Sequence, residues 1–111
     1  MKVESKLQII EKLYNHSFKQ ISYFQTDITK FKIFLLVIKN HQLNINQTIE
    51  KLIDELPKTI SSRAHKLNCI TDATKKNYLV KETSKSDQRK KYLKPSQELL
   101  DELNEFLKIL N

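Results

Sequence analysis

DATKKNYLVKETSKSDQRKKYLKPS, residues 72–96, decides how the whole chain is read. It begins as the end of a helix and turns at Asn77. A helix that closes on a left-handed residue normally uses Gly. Asn is the next choice, because its short polar side chain tolerates positive φ. The chain of 111 residues contains no Gly, so Asn77 reads as the helix stop. Tyr78–Thr83 then has the β-branched and aromatic content of a strand. Ser84–Asp87 is turn-forming, and Arg89–Lys94 returns as a second strand. Pro95 suits the first turn of a further helix, expected over 96–110. The stretch is a helix, a β-hairpin over 78–94 with a charged tip, and another helix.

Upstream, Ser61 or Ser62 can cap a helix over 62–76. Pro57 lies just past an earlier helix, 47–56, which Asn46 can cap and whose inner face is Ile49, Leu52, Ile53 and Leu56. Two helices joined by a turn of about four residues have the spacing of a helix-turn-helix, here 47–76. Before it, Thr26 or Asp27 starts a helix through about His41. Its centre, Ile33–Ile38, is apolar all round and is expected to be buried. Residues 3–24 read as one long helix with Val3, Leu7, Ile10, Tyr14, Ile21 and Phe24 at heptad spacing, and Ile9, Leu13 and Phe18 widening the stripe. Such a stripe serves core packing or a dimer seam. In the last helix, Leu99, Leu103, Phe106 and Leu110 form a second stripe with Leu100 and Leu107 beside it, and Asp101, Glu102 and Glu105 are expected on the outer face. A hairpin after a helix-turn-helix is a wing. The fold class is therefore mainly α: a single winged helix-turn-helix domain over 1–111, with a small β-hairpin wing and flanking N- and C-terminal helices.

Composition narrows the function. The chain is 39% hydrophobic and 30% charged with a formal net charge of +7, as in a globular protein rather than a disordered one. No apolar run approaches a membrane span, and the opening MKVESKLQII lacks the pattern of a secretion signal. Cys69 is the one cysteine, so an internal disulfide is excluded and a cytoplasmic location is expected. The charge is uneven. Residues 1–57 hold 8 basic and 6 acidic residues, 58–94 hold 11 and 3, and 95–111 hold 1 and 4. The excess of +8 in the middle third points to a polyanionic partner or to a solvated lysine-rich surface. Paired catalytic carboxylates, a Ser-His-Asp arrangement and a phosphate loop are all missing from the pattern, so no enzyme is expected. His16, His41 and His65 fall on different helices with no second ligand at metal spacing, so neither a metal nor another cofactor is expected. Cys69 reads as a small buried hydrophobe.

The chain resembles the MarR-type winged-helix family of bacterial transcriptional regulators. The resemblance is carried by ISSRA (60–64) at the start of the second helix of the pair, DATKKNYLVKE (72–82), and SDQRKKYLKPS (86–96), with its Asp two residues before an Arg, a strand, and a Ser opening the last helix. It covers roughly residues 30–96. Asn77 stands where the family usually has Gly. The resemblance implies a dimeric, sequence-specific binder of double-stranded DNA that regulates transcription. It also implies Arg89 as the minor-groove finger of the wing and Asp87 as its brace. No residue set points to a small-molecule effector.

In a helix-turn-helix the second helix enters the major groove with its N-terminal residues toward base edges. The candidates are Ser61, Ser62, Arg63, His65, Lys66 and Asn68. Hydroxyl, imidazole and amide groups suit base edges, Asn pairs well with adenine, and Arg63 suits a phosphate or a brace to the wing. Helical spacing puts Leu67 and Ile70 on the inner face and Ser61, His65, Asn68 and Asp72 opposite. Lys85, Arg89, Lys90 and Lys91 supply charge near the hairpin tip, where an Arg suits a narrow minor groove and Asp87 can orient it. The helices over 3–24 and 96–110 are the expected homodimer interface. Two other functions fit the same fold: an adaptor or anti-repressor whose wing meets an acidic protein, and a nonspecific nucleoid-type DNA binder.

Overall fold

The computed structural model describes residues 3, 5–8, 11 and 18–110. Its elements run α1 (Lys19–Phe24), α2 (Ile28–Gln42), α3 (Ile49–Glu55), α4 (Arg63–Lys75), β1 (Leu79–Thr83), β2 (Lys91–Pro95) and α5 (Gln97–Leu110). This is the expected mainly helical architecture with a two-stranded antiparallel hairpin after a helix pair. Among the described residues no helix is long and apolar enough to cross a membrane.

Local chemistry sets each boundary. Asp27 starts α2 from extended backbone, and its carboxylate accepts from the Thr29 and Lys30 amides. Ser62 does the same for α4, accepting from the His65 amide at 3.0 Å. Thr48, not Asn46, caps α3. Asn46 is too early because Gln47 is still outside the helix and its carbonyl accepts from the Leu93 amide at 2.9 Å, tying the α2–α3 link to β2. Asn77 has a φ of 62°. Behind it the Tyr78 amide reaches back to the Ala73 carbonyl at 3.0 Å and closes α4. Asn44, with a φ of 57°, performs the same turn after α2.

Three expectations are corrected. The helix over 3–24 is not continuous. Residues 3, 5–8 and 11 are helical, but Phe18 has a φ of −82° and a ψ of 77° and precedes a separate α1. Ile9, Ile10, Leu13 and Tyr14 lie outside the described residues. Pro95 ends β2 opposite Leu79 instead of opening α5. Ser96 caps α5 instead, accepting from the Leu99 amide at 3.0 Å. The centre of α2 is not buried all round: Ile33, Phe34, Val37 and Ile38 are inside and Leu35 is exposed.

One core joins every element: Phe24 from α1, Ile33 and Val37 from α2, Leu52 from α3, Ile70 and Ala73 from α4, Leu79 and Leu93 from the hairpin, and Leu99 from α5. Phe24 stacks on Phe34 with ring centroids 5.3 Å apart. Side chains of this size each stabilise the fold by roughly 1.5–3 kcal/mol when fully buried. The hairpin is anchored at its base only. Leu79 and Leu93 are buried, while Val80–Thr83 and Lys91 are exposed and lead away from the core.

Glu102 was expected on the outer face of α5, and it turns inward. Its carboxylate accepts from the Gln20 amide at 3.0 and 3.1 Å and from the Ile21 amide at 3.3 Å. It therefore caps α1, whose own N-cap residue, Phe18, makes no side-chain cap bond. Glu98 and Ser96 complete the joint through the Gln20 side chain, at 3.0 and 3.1 Å.

Candidate nucleic-acid interface

The inner face of α4 is Lys66, Cys69, Ile70 and Ala73, spaced by three and four residues. Its phase is turned by one residue from the expected one. Lys66 is 4% exposed and Leu67 is 41% exposed, so Lys66 is removed from the outward face and Leu67 joins it. The exposed row is Ala64, Leu67, Asn68, Thr71 and Lys75. Thr71 and Lys75 join the outward row because Leu67, the more apolar residue, faces out and Lys66 faces in. The spacing of Cys69, Ile70 and Ala73 carried the correct phase.

The remaining candidates on this helix are held by bonds. The Ser61 hydroxyl accepts from the Thr29 hydroxyl at 2.9 Å, and Ser62 caps the helix. Arg63 pairs with Glu50 of α3 at 2.5 Å, with both side chains largely exposed. It braces the two helices of the pair to each other and does not reach the wing. His65 Nε2 lies 3.1 Å from Asp27 Oδ2 and 3.5 Å from Cys69 Sγ, so the imidazole turns toward the start of α2. Asp72, expected beside Asn68, accepts from the Tyr23 hydroxyl. Burial and this bond push the Tyr23 hydroxyl well above its ordinary value, and the same bond holds the Asp72 carboxyl below its own. Cys69 is buried as expected, and burial raises its thiol.

In the wing, the pairs Val80↔Lys94, Lys81↔Leu93, Glu82↔Tyr92 and Thr83↔Lys91 set the register. Lys94 bridges diagonally to Glu82 at 2.6 Å and holds the Glu82 carboxyl below its usual range. The tip is built by Ser84 and Asp87. The Ser84 hydroxyl accepts from the Ser86 and Asp87 amides, each at 3.3 Å, and its amide donates to the Lys90 carbonyl at 2.9 Å. Asp87 Oδ1 accepts from the Arg89 amide at 3.0 Å and lies 3.5 Å from Arg89 Nε. The Arg89 side chain is 93% exposed. Lys85, Lys90 and Lys91 are exposed around it. The tip thus presents a guanidinium whose backbone is fixed by the neighbouring carboxylate.

The end of α4 and the start of the wing share one surface. Thr74, Lys75, Asn77, Val80 and Lys81 line an open depression of about 400 Å³. The end of the exposed row of α4 therefore meets the wing where Lys75 and Lys81 lie together. No protein-family model matches the chain, and no curated protein matches it either.

Proposed function

We propose that the protein is a sequence-specific, double-stranded DNA-binding transcriptional regulator that acts in the cytoplasm as a homodimer. The observation that carries this reading is the surface shared by the end of α4 and the start of the wing, where Lys75 and Lys81 lie together, with the exposed basic residues of the hairpin tip on the same hairpin. A helix row of this length fits the major groove, and a hairpin beside it reaches the adjacent minor groove. Asn68 and Thr71 supply base-edge donors and acceptors, and the Ala64 and Thr71 methyls suit thymine. Lys75, Lys81, Lys85 and Lys91 meet phosphates. Arg89 enters the minor groove with Asp87 as its brace. Ser61, Arg63 and His65 position α4 through bonds to α2 and α3 instead of touching bases.

The test is fluorescence anisotropy with duplexes of about 30 base pairs, tiled from the DNA upstream of the gene that encodes the chain, with a scrambled control. One duplex that stays tight at physiological salt while the scramble falls away supports the regulator. Equal, salt-sensitive binding to every duplex replaces it with a nonspecific nucleoid-type binder. No binding at low salt replaces it with an adaptor whose wing meets an acidic protein.

A further inference from the structure

We propose that Asp27, His65 and Cys69 form a binding site for a zinc-class divalent transition-metal ion, which ties the start of α2 to α4. One ligand atom from each residue lies within 4.8 Å of the others. The two separations made by His65 are close to those of a shared first shell. For metal–ligand bonds of about 2.0–2.3 Å, tetrahedral geometry sets N···O near 3.3 Å and S···N near 3.6 Å. His65 Nε2 lies 3.1 Å from Asp27 Oδ2 and 3.5 Å from Cys69 Sγ.

The donor set selects the ion. A thiolate, an imidazole and a carboxylate suit zinc and its neighbours, and exclude magnesium and calcium, which take oxygen ligands. Three protein ligands leave a fourth position for water or another donor, the arrangement of an open zinc site. Charge balances as well. The Asp27 carboxylate and a Cys69 thiolate bring two negative charges to the three ligands, and the imidazole brings none. A divalent ion neutralises both. On binding, the thiol gives up its proton to solvent as the sulfur–metal bond forms.

The site is also supported from outside. Asp27 Oδ1 is held by the Thr29 and Lys30 amides, which orients the carboxylate and leaves Oδ2 for the ion. Cys69 is buried and the His65 side chain is 44% exposed, so the ion enters past the imidazole. His65 and Cys69 are one helical turn apart, but Asp27 is 38 residues from His65. No spacing rule could have joined them.

The proposal stands apart from the DNA reading and is tested without DNA. The full chain, stripped by a chelator and reduced, is titrated with Co²⁺ and then with Zn²⁺. We expect one ion per chain, a thiolate-to-cobalt charge-transfer band with intense visible d–d absorption, and a higher melting temperature with Zn²⁺. Cys69→Ser should abolish the charge-transfer band. His65→Gln and Asp27→Asn should each weaken Zn²⁺ binding at least about tenfold, while His41→Gln should leave it unchanged. His65→Gln lies on the rim of the site and keeps the test valid if Cys69→Ser unfolds the chain. No charge-transfer band with Co²⁺ overturns the site, as does Zn²⁺ affinity that His65→Gln and Asp27→Asn leave unchanged.

Discussion

Arg89 stands out from the molecule on a tip whose turn is closed by bonds to Ser84 and Asp87. Its amide and its Nε both face Asp87 Oδ1, yet the side chain is 93% exposed. An exposed pair of this kind contributes about 0–1 kcal/mol to stability, so the arrangement has little value for the fold. In the proposed regulator, its value lies in aiming a guanidinium at the minor groove. Arg89→Ala should therefore leave the melting temperature unchanged. It should weaken binding to the preferred duplex at least tenfold, about 1.4 kcal/mol, and reduce the salt slope by about one. Anisotropy titrations over a range of salt, beside thermal melts, check both halves. Unchanged affinity removes Arg89 from the interface. A large loss of stability makes the pair structural.

At the scale of elements, helices far apart in sequence complete one another. α1 has six residues and is too short to persist alone. Glu102 of α5 supplies the acceptors for its first amides from 82 residues away. A charged acceptor on helix-end amides is worth about 1–2 kcal/mol, so Glu102→Ala should destabilise the chain by that amount in urea. Glu102→Gln, which keeps one acceptor oxygen, should lose less. A second tie joins α1 to α4 through the Tyr23 hydroxyl and the Asp72 carboxylate, and it has a pH signature. The Asp72 carboxyl is lowered in the folded state, so its contribution is complete above the unfolded carboxylate value of about 4 and is lost as pH falls through the lowered one. The Tyr23 hydroxyl is raised, so its contribution is complete below about 10 and is lost as pH rises through the raised value. The melting-temperature gap between wild type and Tyr23→Phe should be flat between these limits and shrink beyond both. A gap that does not change with pH means the bond contributes nothing. These ties also mark what could be read in advance. Asp27, Ser62 and Asn77 act on their own neighbours, so the bounds of α2, α4 and the wing were legible from residue chemistry. Glu102, Tyr23 and Asp27 toward His65 act across 82, 49 and 38 residues, and no local pattern carries such pairs. The phase of α4 failed for a related reason. Lys66 buries its side chain where hydropathy alone places Leu67, since a long basic side chain can cover an apolar surface with its methylenes.

At the scale of the whole molecule, charge and apolar surface are separated. The basic excess lies in residues 58–94 and the acidic residues of 95–111 lie on α5. An apolar groove of about 340 Å³ opens between α1, α2 and α5, lined by Ile21, Phe31, Leu35, Leu103, Phe106 and Leu107. Val3 and Leu7 are exposed on the N-terminal helical segment. The apolar groove suits a two-fold partner, whereas Ile21 and Phe24 of the N-terminal heptad stripe are spent on the core. The domain measures 48 × 30 × 24 Å. A proposed dimer that reads two successive major grooves sets its α4 helices about one turn of duplex, roughly 34 Å, apart. The chain should therefore run as a dimer in light scattering at micromolar concentration. Leu107→Glu, exposed at the groove, should shift it to monomer without unfolding it. On DNA, the preferred site should be a pseudo-palindrome with half-sites about 10 base pairs apart. Inserting about 5 base pairs between them rotates one half-site to the opposite side of the duplex and should cost most of the affinity, while inserting about 10 should restore much of it. If affinity is indifferent to the insertion, each protomer binds alone, and the groove between α1, α2 and α5 has no part in DNA recognition.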